Sequence, residues 1–204
     1  MNLSKRKNKI IFYVLITFMF VISVIDNLLT YIGSPDLSKE SNPLVATLGF
    51  SWTGLLIANV ILYAVDVFFA YYVFIKYKPK VVECNSKKEY MSMMLFDRPD
   101  KFNWTWYKMP NNKDGYRFML ACFGFIMVLL TPILRLKAVI EWCMYLYNTE
   151  LFDKYCDFLG KAGATTVWGR GDLIIQVLVL IVIFMFVFIN RQYKLNQKLL
   201  NENS

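Results

Sequence analysis

Four long apolar blocks constrain this chain more than any other feature of its sequence: Ile10–Ile32, Trp52–Ile75, Tyr116–Leu136 and Leu173–Ile189. A helix rises about 1.5 Å per residue, so about 20 residues cross a hydrocarbon core about 30 Å thick. The first three blocks meet that length, and the fourth sits near the lower limit of about 17 residues. Trp52 opens the second block and Tyr71, Tyr72 and Tyr77 close it, as interfacial aromatic belts do. In the third block Pro132 is expected to kink the far end and Arg135 to mark the exit. The expected fold is an all-α membrane protein with four transmembrane helices forming one membrane domain over residues 1–204. Its spans are joined by loops at 33–51, 76–115 and 137–172. A hydrophobic content of 57%, against about 45–50% in soluble proteins, excludes an ordinary soluble domain.

Charge sets the expected orientation. Lys5, Arg6, Lys7 and Lys9 precede the first block, which is too long for a secretory h-region and is followed by no A-x-A-like site, so it reads as a retained signal anchor. Lys and Arg number four in residues 1–9, nine in 76–115 and three after Ile189, against one in 33–51 and four in 137–172. With Arg117 on the first side and Arg135 on the second, 17 of the 23 cations share a side, and the positive-inside rule makes both termini cytoplasmic. The net charge of +8 is thus a topological signal. Nucleic acid is not an expected partner, since the cations lie beside spans and no nucleic-acid-binding motif accompanies them. The lipid bilayer is the first partner, and anionic headgroups would add about 1 kcal/mol per well-placed cation.

Histidine is absent, which removes imidazole-based zinc sites, Ser-His-Asp triads and Cys-His dyads. The long loop 76–115 reads as a cytoplasmic segment without its own core. Its apolar cluster from Tyr90 to Phe96 is open to two readings, an interfacial helix or an irregular loop, with Phe102, Trp104, Trp106 and Tyr107 as membrane anchors. Asn111, Asn112, Asp114 and Gly115 read as a turn before span three. In 137–172, apolar spacing through Ile140, Cys143, Met144 and Tyr147 fits either a continuation of span three or a separate surface helix broken at Gly160 and Gly163. Cys143 and Cys156 share the outer side, where a disulfide between them and two separate thiols are both open readings.

Polar residues inside the spans carry the most functional information, because a charge at mid-bilayer costs at least about 2.5–3.5 kcal/mol. Ser23, Asp26, Asn27 and Thr30 follow helical spacing and form one stripe on span one; Asn59, Tyr63 and Asp66 do so on span two. Counted from the outer ends, Asp26 and Asn59 lie about 9 and 10 Å deep and are expected to face each other, while Asp66 lies about 21 Å deep. Arg135 is the expected counter-ion of Asp26, and Gln176 of span four joins the same outer half. The resulting expectation is a polar pocket open to the outside, with interhelical packing bonds worth about 0.6 kcal/mol each as the alternative.

Asp26-Asn27-Leu28-Leu29-Thr30 followed by Glu40-Ser41-Asn42-Pro43-Leu44 has the form D-x-x-x-T … E-x-N-P-L. It resembles the signature of a family of small prokaryotic integral-membrane proteins of unknown function, over about residues 20–75. The resemblance implies that Asp26, Thr30, Glu40, Asn42 and Pro43 are motif positions in a protein of the prokaryotic cytoplasmic membrane, and it implies no activity. Pro43 restricts Asn42 to extended backbone, which would turn Glu40 and Asn42 either toward Asp26 as oxygen ligands for a hard cation or onto backbone donors as a loop cap.

The leading functional reading is a structural, accessory or binding protein with a polar pocket built from Asp26, Asn27, Thr30, Glu40, Asn42, Pro43, Asn59, Asp66 and Arg135. Other membrane proteins or further copies of the chain are its expected partners. A small oligomeric ion or solute transporter or channel is the second reading. A lipid-modifying membrane enzyme or a toxin-immunity membrane protein is the third, and catalysis is the less favoured, since neither a nucleotide-binding glycine loop nor a zinc-spaced cysteine pair is present. No cofactor is indicated.

Overall fold

A computed structural model describes residues 2–39, 43–46, 48–99, 109–161 and 171–203. These residues are helical with short connections, and no strand occurs among them. The helices are α1 (Asn2–Gly33), α2 (Pro43–Ala46), α3 (Trp52–Tyr71), α4 (Lys87–Phe96), α5 (Lys113–Tyr147), α6 (Thr149–Lys161) and α7 (Gly171–Asn203). Four stretches are long and apolar enough to cross a membrane, within α1, α3 with its continuation to Lys76, α5 and α7. Their large apolar side chains stay exposed, among them Val14, Phe18, Val60, Ile61, Phe123 and Phe186. Lipid, rather than water, is the solvent such surfaces require.

Helices α1, α5 and α7 outrun their apolar blocks. α1 begins at Asn2, ahead of the N-terminal lysines, and α7 runs fourteen residues beyond Ile189 to Asn203. The block from Trp52 to Ile75 is one helix whose last turn, Tyr72–Lys76, widens, with the Tyr77 amide donating to the Tyr72 carbonyl five residues back at 2.7 Å. α5 passes through Pro132 to Tyr147. Asn148 then separates α5 from α6: its amide closes α5 on the Met144 carbonyl at 2.9 Å, and its Oδ1 accepts the Leu151 amide at 3.0 Å as an N-cap. Both open readings of this segment therefore hold in turn, a continued span and a separate helix, and α6 ends one residue after Gly160.

The chain divides into two compact units. Unit 1 comprises Met1–Phe12, Phe69–Met127 and Ile181–Ser204. Within it the segment 76–115 forms a helix, the first of the two readings of its apolar cluster, and that helix buries its side chains against α5 and α7 rather than in a core of its own. Ser86 caps α4 by accepting the Glu89 amide at 3.1 Å, Glu89 accepts the Asn85 amide at 2.8 Å, and Asp97 closes the helix with a left-handed backbone at φ 57°. α4 buries Tyr90, Met91, Met94, Leu95 and Phe96 within the unit. The Tyr90 ring meets Phe118 of α5 at 6.1 Å and Tyr193 of α7 at 5.9 Å, both edge-on, and Phe188 lies against Phe118 and Phe125. At Gly124 an added Cβ would come within 2.7 Å of the Phe69 ring, so only glycine allows that approach of α5 to α3. The aromatic group Phe102–Tyr107 lies outside the described residues.

The extended stretch before α4 is fastened to α7. Asn196, 1% exposed, gives its Nδ2 to the Val82 carbonyl at 2.8 Å and accepts the Val82 amide on Oδ1 at 2.9 Å, completing a two-way bond as a strand neighbour would. Gln197 donates to the Cys84 carbonyl at 2.9 Å. Burial pushes the Cys84 thiol above its ordinary range, and nearby Glu89 acts the same way.

Unit 2 comprises Tyr13–Phe68 and Val128–Leu180. The Trp52 indole donates to the Pro35 carbonyl at 2.7 Å and stacks edge-on with Tyr31 at 5.5 Å, fixing the start of α3 beside the end of α1. At Gly33 an added Cβ would lie 2.3 Å from the Trp142 ring, so α1 ends against α5 without a side chain. Lys39 hydrogen-bonds the Tyr145 hydroxyl, which pushes the ammonium above its ordinary range. The Tyr155 hydroxyl donates to Glu141 at 2.7 Å, and Glu141 also holds Lys137 at 3.0 Å, joining α6 to α5.

Replacing Asn196 with Ala is expected to strand the buried Val82 amide and carbonyl, at about 1–3 kcal/mol for a lost buried partner. Cys84 should then alkylate faster in the folded protein, read by peptide mass mapping over time. Unchanged Cys84 protection would show that this fastening does not hold the segment.

Candidate functional site

The polar residues of α1, α3 and α5 in unit 2 meet because each lies on a helical stripe. Asp26 and Asn27 follow Ser23 on α1, Asn59 precedes Asp66 by two turns on α3, and Thr131 precedes Arg135 by one turn on α5. The Arg135 guanidinium is the meeting point. One nitrogen lies 3.0 Å from Asp26 Oδ2, and the other donates to Asn59 Oδ1 at 2.8 Å. Asn59 passes the chain on, donating its Nδ2 to Asn27 Oδ1 at 2.8 Å, and Asn27 donates to the Ser23 carbonyl at 2.8 Å. The side chains of Arg135 and Asp26 are 11% and 17% exposed, so the pair is screened far less than a surface ion pair.

The network therefore runs from one carboxylate through one guanidinium and two amides to a backbone oxygen. Each planar amide uses both ends, which fixes its orientation and the helix faces that carry it. Removing one member of a buried pair leaves the other charge uncompensated, whereas removing both leaves no such charge.

The expected pairing of Asp26 with Arg135 is present. Asn59 lies in the same network, reached through Arg135 and Asn27. These four side chains bond one another across three helices, which is the interhelical alternative. Thr30 is buried at 4% exposure on the same helix, and Asp66 stands apart, accepting the Thr131 hydroxyl at 3.3 Å. Gln176 is exposed and does not join the network. Pro43 begins the short helix α2, while Glu40 and Asn42, and with them the expected loop ligands, lie outside the described residues. The structure draws no bridge between Cys143, half-buried on α5, and Cys156, exposed on α6.

Two participants escaped the sequence reading, Thr131 and the Ser23 carbonyl. The spacing of Thr131 and Arg135 is the signal that would have found the first, since it sets both on one face of α5. Among the described residues no group of three or more acidic or cysteine side chains could hold a metal ion. No protein-family model, curated protein or solved structure matches the chain.

Arg135→Leu is expected to cost about 3–5 kcal/mol, the scale for breaking a buried pair from one side. The double variant Asp26→Leu with Arg135→Leu should be clearly more stable than the sum of the single losses predicts. Thermal unfolding in detergent of the four proteins measures the coupling, and strictly additive losses would contradict the network.

Proposed function

We propose that this chain is a four-span structural or accessory protein of the prokaryotic cytoplasmic membrane, acting through contacts with lipid and other membrane proteins or further copies of itself. The observation that carries this reading is the mutually satisfied network of Asp26, Arg135, Asn59 and Asn27, which joins α1, α3 and α5 by direct side-chain bonds. Its groups already bond one another, so their first service is to set helix faces. The broad apolar surfaces of α1, α3 and α7 then supply the contact area for lipid or neighbouring helices.

Both termini and the segment 76–115 belong, on this reading, to the cytoplasmic side, supported by the clustering of cations beside those span ends. A transport reading draws on a different observation, the buried carboxylate of Asp66 within α3. Flux of a small ion through reconstituted protein, lost in Asp66→Asn, would favour it over the structural reading.

The orientation is tested with Cys156, which is exposed on α6. A membrane-impermeant maleimide should modify Cys156 in cells whose cytoplasmic membrane is intact. Modification of Cys156 only after that membrane is opened would invert the topology. For the accessory role, the protein extracted in mild detergent should migrate as a complex with a defined partner or with itself; a lone monomer free of bound lipid would contradict it.

A further inference from the structure

Charge in the apolar helix segments of unit 2 does not balance. Across residues 13–33, 52–68 and 128–136 the sequence places two carboxylates, Asp26 and Asp66, and one cation, Arg135. Lys137, just beyond, lies 3.0 Å from Glu141. Arg135 directs its two terminal nitrogens to Asp26 and Asn59; it acts on Asp66 only as a nearby charge, and the hydrogen bond to Asp66 comes instead from the neutral Thr131 hydroxyl at 3.3 Å. Asp66 is 1% exposed, so water does not compensate its charge. A carboxylate in such surroundings either gains a positive partner or takes up a proton, because an isolated buried charge costs far more than a hydrogen bond returns.

A second feature lies beside it. Pro132 has no N–H to offer the Val128 carbonyl four residues earlier, so α5 carries a main-chain oxygen without its helical donor one turn from Thr131. Main-chain carbonyls without helical donors coordinate cations where membrane helices unwind, and a proline supplies one such oxygen while α5 stays continuous. Val128 is fully buried and Pro132 is buried too. The remaining polar groups around Asp66 are committed elsewhere: Tyr63 donates to the Ile16 carbonyl at 3.3 Å, and Asn59 bonds Arg135 and Asn27. The α7 segment 173–180 contains no ionisable residue.

We propose that Asp66 is the carboxylate of a binding site for one monovalent cation, H⁺ or Na⁺, completed by the Thr131 hydroxyl and the Val128 carbonyl. The bound cation supplies the positive charge that the pairing of Asp26 with Arg135 leaves missing. Its occupancy couples the packing of α3 on α5 to the proton or sodium concentration, and it goes beyond the accessory role, which stands on the Arg135 network alone. A proton needs only the carboxylate, whereas Na⁺ requires all three oxygens.

The test uses the full-length protein folded in detergent, treated with N,N′-dicyclohexylcarbodiimide, which modifies the protonated form of a carboxyl group. It is run in choline buffer with and without Na⁺, from mildly acidic to mildly alkaline pH, with thermal unfolding followed in parallel. A proton site predicts modification of Asp66 that is indifferent to Na⁺ and declines as pH rises, with Asp26 unmodified. A sodium site predicts that Na⁺ suppresses modification of Asp66 and raises the melting temperature, an increase absent from Asp66→Asn. Asp66 unmodified at every pH, together with a melting temperature indifferent to Na⁺, would overturn the site. Both readouts are made on the unmutated chain, so a folding failure of Asp66→Asn leaves the outcome decisive.

Discussion

A single guanidinium organises the polar interior of unit 2. Arg135 is flat and has donors at fixed directions, so one side chain can hold a carboxylate of α1 and an amide oxygen of α3 at once. In apolar surroundings this constraint is severe: each helix has to present its polar residue at one height and one rotation, or leave a buried charge alone. The apolar stripes around it have no comparable selectivity, because the flanking side chains meet lipid about as well as they meet one another. Non-directional burial thus supplies the membrane insertion, and a few directed bonds supply the register.

Unit 1 reaches specificity by a different route. Its packing rests on rings, with Tyr90 placed between Phe118 and Tyr193 and with Phe188 against Phe118 and Phe125. Main-chain bonding capacity in the extended stretch before α4 is satisfied by Asn196 and Gln197, which imitate the neighbouring strand that is missing there. The Arg191 guanidinium lies 5.3 Å from the Phe74 ring centre, adding a cation–π contact to the same unit.

How much of this was legible in the sequence follows from the kind of interaction involved. The four spans were, since apolar length is written directly into composition, and so was the pairing of Asp26 with Arg135, since a buried charge demands an opposite one at similar depth. Helix ends were less legible: α7 continues through Arg191 and Lys194 because a polar sequence can remain helical once Gln192 and Asn196 have a surface to bury against. The helical core around Tyr90 was hidden because its partners, Phe118 and Tyr193, are distant in sequence and lie on two different helices. The bond between Asn59 and Asn27 was hidden for a related reason, as counting depth places Asn59 near Asp26 but cannot show that Asn27 uses the remaining end of the amide.

Arg135 acts through its forked geometry and not through charge alone. Arg135→Lys separates the two, since an ammonium can keep the ion pair with Asp26 while losing the fixed second direction toward Asn59. Thermal unfolding in detergent is the direct measurement. Arg135→Lys is expected to melt below the parent and clearly above Arg135→Leu; a lysine variant as stable as the parent, or a leucine variant at least as stable as the lysine one, would show that the fork does not set the register.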